Sequence, residues 1–170
     1  SVQDPVAVTP NTWNHFALTY NATTKVMTLF RNGVQVSQAS NVPNLTTQES
    51  LQIGQYTASS GNNFKGRLDE VRVWTTVRTQ TEIQSNMTAE IPTTATGLLA
   101  NYHFNQGVAR GSNSGVTSLL DSSGNSYDGT LIGFALTGTT SNWVNCASVN
   151  NGRSIPGDDT SKVYSLGIGS

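Results

Sequence analysis

The dipeptide Asn32-Gly33 stands between two runs in which apolar and polar residues alternate. No other feature limits the fold of this chain so sharply. In residues 25–31, Val26, Thr28 and Phe30 fall on one face and Met27 and Leu29 on the other, and residues 34–36 return with Val at both ends. A two-residue connection between antiparallel strands needs positive φ at both positions to match the strand twist, and Asn-Gly supplies it at little cost. The spacing therefore predicts a tight hairpin. Residues 13–20 alternate in the same way ahead of it. Trp13, His15, Ala17 and Thr19 share one face there; Asn14, Phe16, Leu18 and Tyr20 share the other, with Phe16 and Leu18 expected to be the core side.

Further short strands are expected along the chain. Residues 51–54 form one, with Leu51 and Ile53 inward. Residues 68–74 form another, in which Leu68, Glu70, Arg72 and Trp74 oppose Asp69, Val71 and Val73. Residues 98–104 and 130–134 follow, with weaker strand character at 163–166. Thr79 or Thr81 can cap a helix reaching about Met87, and Glu82 stands where it completes a capping box from Thr79. Many short strands, frequent turn signals and one small helix predict an all-β fold, an antiparallel jelly-roll sandwich. Residues 1–145 are assigned to this domain. Residues 146–170, dominated by polar residues and Gly, read as a linker or the start of a neighbouring module.

Composition narrows the functional classes. Charged residues make up 11% of the 170-residue chain and the formal net charge is −1, which leaves no electrostatic footprint for nucleic acid or an anionic membrane. No apolar run is long enough to span a bilayer, so membrane insertion is not expected. Cys146 is the single cysteine, so no disulfide can form within the chain, and sheet packing must hold the fold.

Taken in order, several segments resemble the laminin-G-like branch of the concanavalin A-like lectin/glucanase superfamily. They are Trp13-Asn14-His15-Phe16-Ala17, Leu29-Phe30-Arg31-Asn32-Gly33, Leu51-Gln52-Ile53-Gly54, and the run from Gly66 through Leu68-Asp69-Glu70-Val71-Arg72-Val73 to Trp74. Gly97 to Asn105 and Asp121-Ser122-Ser123-Gly124-Asn125 resemble a segment common in bacterial surface proteins of that family. The resemblance implies a recognition module on a secreted or cell-surface protein. It also implies a gap: the family's usual first strands are absent before Thr12. An upstream segment or another chain is expected to supply them, since a jelly roll without them leaves unpaired edges.

Catalysis is not expected. Retaining glucanases of the superfamily need two carboxylates about 5 Å apart on one face. Asp69 and Glu70 are adjacent in a predicted strand and point to opposite faces, with Glu70 expected to pair with Arg72. His15 and His103 fall in predicted strands without a nucleophile-elbow pattern and read as sheet residues. Calcium is the one cofactor with a sequence rationale. Asp121, Ser123, Asn125 and Asp128 place oxygen-bearing side chains in one glycine-containing loop. Such a set can coordinate a hard cation, or it can be an Asx-turn network that shapes the loop. Pentraxins, a more distant resemblance, carry acidic calcium ligands in the loop that corresponds to residues 55–60, and that loop has no carboxylate here.

A glycan offers apolar CH faces and hydroxyls together, so its site needs an aromatic platform beside amides. Tyr56 with Asn62 and Asn63 provides that chemistry on one loop, although a simply solvated loop accounts for those residues slightly better. The function expected from the resemblance is a non-catalytic adhesion module that binds glycan or a surface protein. The alternatives are a structural spacer or filament module pairing through exposed sheet edges, and an accessory domain of a polysaccharide-degrading enzyme.

Overall fold

A computed structural model describes residues 1–44, 50–54, 64–138 and 142–144. Tyr56, Asn62, Asn63, the weak strand at 163–166 and the segment 146–170 lie outside the described residues. Among the described residues the chain is an all-β structure of antiparallel sheets with one short helix.

Strands β1 (Phe16–Asn21), β2 (Val26–Arg31) and β3 (Val34–Ala39) form a three-stranded sheet in the order β1-β2-β3. Asn32 (φ 50°) and Gly33 (φ 73°) turn the β2–β3 hairpin in the left-handed region, as the dipeptide predicts. Asn32 also ties the hairpin to the chain ahead of β1. Its Oδ1 accepts the His15 amide at 2.9 Å, and its own amide donates to the His15 carbonyl at 2.8 Å.

Both faces of β1 alternate well enough to be core, and packing selects the face that was not expected. Ala17 and Thr19 are buried, opposite Phe30 and Thr28 of β2, while Phe16 and Leu18 are only half-buried. The reason is helix α1 (Gln80–Asn86), whose Ile83 packs on Ala17 and Phe30. Thr79 caps that helix. Its Oγ1 accepts the Glu82 amide, and the Glu82 carboxylate accepts the Thr79 amide at 2.7 Å. Gln80 and Gln84 then donate from Nε2 to the Gly33 carbonyl at 3.0 and 2.9 Å, so the helix clamps the hairpin tip. A Cβ on Gly33 would lie 2.6 Å from Gln84 Cγ.

Strands β4 (Val71–Trp74) and β5 (Leu98–Tyr102) pair antiparallel, with Arg72 opposite Asn101. Val71, Val73, Ala100 and Tyr102 line one face and build the largest apolar cluster with Leu119 and Trp143, onto which Phe134 packs. Leu119 belongs to a second small pair, β6 (Ser118–Leu119) with β7 (Gly129–Thr130). The opposite face of β4 and β5 carries Arg72 and Asn101, both fully buried. A hydrophobic sheet therefore backs onto a polar seam.

Several expected strands are shorter or absent. Residues 51–54 form no strand; Leu51 is exposed and Ile53 packs against the main cluster from a bend. The 68–74 strand begins only at Val71, because Glu70 adopts φ 51° and turns the backbone out of the extended region. Phe104 (φ 59°) likewise lies beyond the end of β5, and of residues 130–134 only Thr130 is in a strand.

Candidate functional site

The seam between the sheets gathers the chain's buried charges. Glu70 and Arg72 are each 1% exposed and meet at 2.7 Å through Oε2 and Nη2. The same guanidinium donates to the carbonyls of Asn86 at 2.8 Å and Ala89 at 2.5 Å, satisfying backbone acceptors where α1 ends. Glu70 Oε1 accepts from His103 Nδ1 at 2.6 Å, and His103 Nε2 lies 3.1 Å from Asn101 Nδ2. That bond to Glu70 raises the His103 pKa above the usual imidazole value against the opposing effect of burial. Glu90 stands at the open side, where its Oε1 accepts from Asn105 at 3.1 Å. One donor atom from each of Glu70, Glu90 and His103 lies within 4.8 Å of the others. Burial, and then the neighbouring Glu70 carboxylate, push Asp69 up to about 7.

The pairing of Glu70 with Arg72 follows the sequence expectation, whereas His103 is not a plain sheet residue. It lies just past β5 and joins the charged seam. Extending the register Val71↔Tyr102 by one residue sets Glu70 opposite His103. The sequence signal was thus a strand register between segments about thirty residues apart, which alternation alone does not reveal. Glu90 carries no local signal at all. It arrives through the turn after α1, fixed by Ile91 in a cluster with Trp74 and Leu98.

The second candidate, the loop after β6, brings its predicted oxygens together. Asp121 Oδ1 accepts the amides of Asn101 at 2.9 Å and Ser123 at 2.8 Å; Oδ2 accepts the Ser123 hydroxyl at 2.8 Å and the Tyr127 amide at 3.0 Å. Asp128 accepts the Asp121 amide at 2.8 Å, and Asn125 donates to the carbonyls of Leu98 and Leu99. Burial would raise the Asp121 carboxyl, but these amide and hydroxyl donors bring it below the ordinary carboxylate value. In this arrangement the side chains act as turn partners that fasten the loop to β5.

His15 is buried beneath the hairpin. Burial first, and then the positive Arg72, lower its pKa to about 4. Ala17, Thr19, Trp74, Arg78 and Ile83 are among the residues that line a cavity of about 20 Å³. That is room for roughly one water and far below the roughly 300 Å³ of a small-molecule pocket. Arg78 lies over the Trp74 ring at 4.3 Å. No described helix is long and apolar enough to cross a membrane.

Comparison with known proteins follows the same lines. The sequence profile described as the Concanavalin A-like lectin/glucanases superfamily matches residues 1–84. The fold is similar to the crystal structure of a candidate carbohydrate-binding protein from Bacteroides ovatus, with a TM-score of 0.59 and 24% sequence identity. The likeness covers 76% of this chain and 36% of that one, so the chain spans little more than a third of its structural neighbour. No curated protein matches the sequence.

Proposed function

Because residues 1–84 match the sequence profile of the Concanavalin A-like lectin/glucanases superfamily, we propose that the chain is a glycan-recognition module of a secreted or cell-surface adhesin, working without catalysis. The superfamily match carries this reading, and the fold likeness to a candidate carbohydrate-binding protein supports it. The chemistry of the seam also supports the non-catalytic part. A glucanase carboxylate must reach a sugar, whereas Glu70 is 1% exposed and held by Arg72 and His103. The proposed ligand contacts are Tyr56, Asn62 and Asn63, an aromatic face beside amides on a polar loop.

A glycan array probed with the folded chain, in calcium and in chelator, tests this reading. Saturable binding that weakens in Tyr56→Ala and Asn62→Ala supports it. Loss of binding in chelator would assign an ion a part in recognition, with Asp121, Ser123, Asn125 and Asp128 as the residues to vary. A folded chain that binds no glycan and instead self-associates through its sheet edges would favour the structural spacer.

A further inference from the structure

We infer that Glu70, Glu90 and His103 form a binding site for a divalent transition-metal ion. Three observations lead there. The first is geometric: a carboxylate oxygen from each glutamate and a ring nitrogen of His103 lie within 4.8 Å of one another. Glu70 Oε2 is engaged by Arg72, while Oε1 faces His103 Nδ1 at 2.6 Å. A cation can take the place of the proton between those two atoms, with Glu90 closing the third position from the partly exposed side.

The second observation is an orphaned atom. Asn101 is fully buried, and its Oδ1 has no hydrogen-bond partner among the described residues, while its Nδ2 faces His103 Nε2 at 3.1 Å. An unpaired buried oxygen is costly, and this one belongs to the amide that touches the ring. When Nδ1 binds a metal, the ring keeps one proton and carries it on Nε2. That N–H needs an acceptor, and a half-turn of the Asn101 carboxamide supplies Oδ1. Metal-bound histidines ordinarily donate their other ring N–H to such an oxygen. The seam therefore contains the positioning partner as well as the ligands.

Charge supplies the third. Arg72 pairs with Glu70 through Oε2, and the Glu90 carboxylate joins Glu70 Oε1 beside His103, so a divalent ion placed there would meet two carboxylates. One imidazole nitrogen with carboxylate oxygens suits Zn²⁺, Co²⁺, Ni²⁺ or Mn²⁺ better than Ca²⁺ or Mg²⁺, which prefer all-oxygen sites. Three protein ligands leave a further position for water on the Glu90 side.

The test uses the untagged chain, stripped with chelator and titrated with Zn²⁺, Co²⁺, Ni²⁺ and Mn²⁺ near neutral pH. Calorimetry should find one ion per chain and thermal melts should shift upward. Glu90→Gln, at the exposed edge of the seam, should keep the fold and weaken binding by at least about tenfold, and His103→Gln should abolish it. Nitrogen NMR of the His103 ring should show Nδ1 bound and Nε2 protonated. Three results would overturn the proposal: no ion stabilises the folded chain, binding survives unchanged in Glu90→Gln, or His103 remains an imidazolium in saturating metal. The last would mean that the orphaned oxygen serves a doubly protonated ring instead.

Discussion

Arg72 and Glu70 form an ion pair at 2.7 Å with each side chain 1% exposed, two residues apart across the start of β4. The pair is not isolated: Arg72 also donates to the carbonyls of Asn86 and Ala89, and Glu70 accepts from His103, while the buried Arg72 Nε has no partner among the described residues. Removing one member leaves an uncompensated buried charge. Arg72→Met should therefore lower unfolding stability by about 3–5 kcal/mol in denaturant titrations. The double variant Glu70→Gln/Arg72→Met should be less destabilised than the sum of the single ones, since no charge is then left alone.

Gly33 combines positive φ with direct contact from the helix. Gly33→Ala meets Gln84 Cγ at 2.6 Å in a conformation that L-residues disfavour by about 1–2 kcal/mol. A loss of roughly 2 kcal/mol or more is expected from chemical denaturation. Adding Gln84→Ala should recover only the contact part, leaving the backbone part in place.

The capping box is the most local test. Thr79→Ala removes the acceptor for the Glu82 amide and should cost about 1 kcal/mol, while Thr79→Ser should be nearly silent. Because α1 clamps Gly33, amide exchange in the β2–β3 turn should quicken in the alanine variant.

Two buried groups give stability opposing slopes with pH. His15 is held near 4 in the fold against 6.5 when free, so its contribution is present above 6.5 and is lost as pH falls toward 4. Asp69 is raised to about 7 from 3.8, so its contribution is present below 3.8 and is lost as pH rises toward 7. Each slope is about 1.4 kcal/mol per pH unit, and across the shared window they offset one another. Denaturation in chelator should give a nearly flat profile for these two groups combined. Asp69→Asn should make stability climb with pH, and His15→Gln should make it fall.

Asp121 accepts four hydrogen bonds, one from the Asn101 amide of β5 and three from Ser123 and Tyr127 within the loop after β6. Asp121→Ala strands those donors and should destabilise by about 2–3 kcal/mol. The loss is expected in chelator as well as in calcium, because the donors are the chain's own amides and hydroxyl. Thermal melts under both conditions check it.

The sequence by itself determined the features whose causes lie within a few residues. Asn32-Gly33 set its turn because the backbone angles are a property of those two residues, and Thr79 with Glu82 set the helix start because the bonds span three positions. The pairing of Glu70 with Arg72 was legible for the same reason. Tertiary structure decided the rest. Alternation in β1 offered two equivalent faces, and only the arrival of Ile83 made Ala17 and Thr19 the buried one. Likewise β4 starts at Val71 because Glu70 leaves the extended region, and the carboxylate meets a histidine 33 residues away. Asp121 reaches the Asn101 amide only once β6 and β5 are packed together. Short-range bonds are encoded where they form, whereas burial and long-range charge pairing exist only after distant segments have excluded water between them.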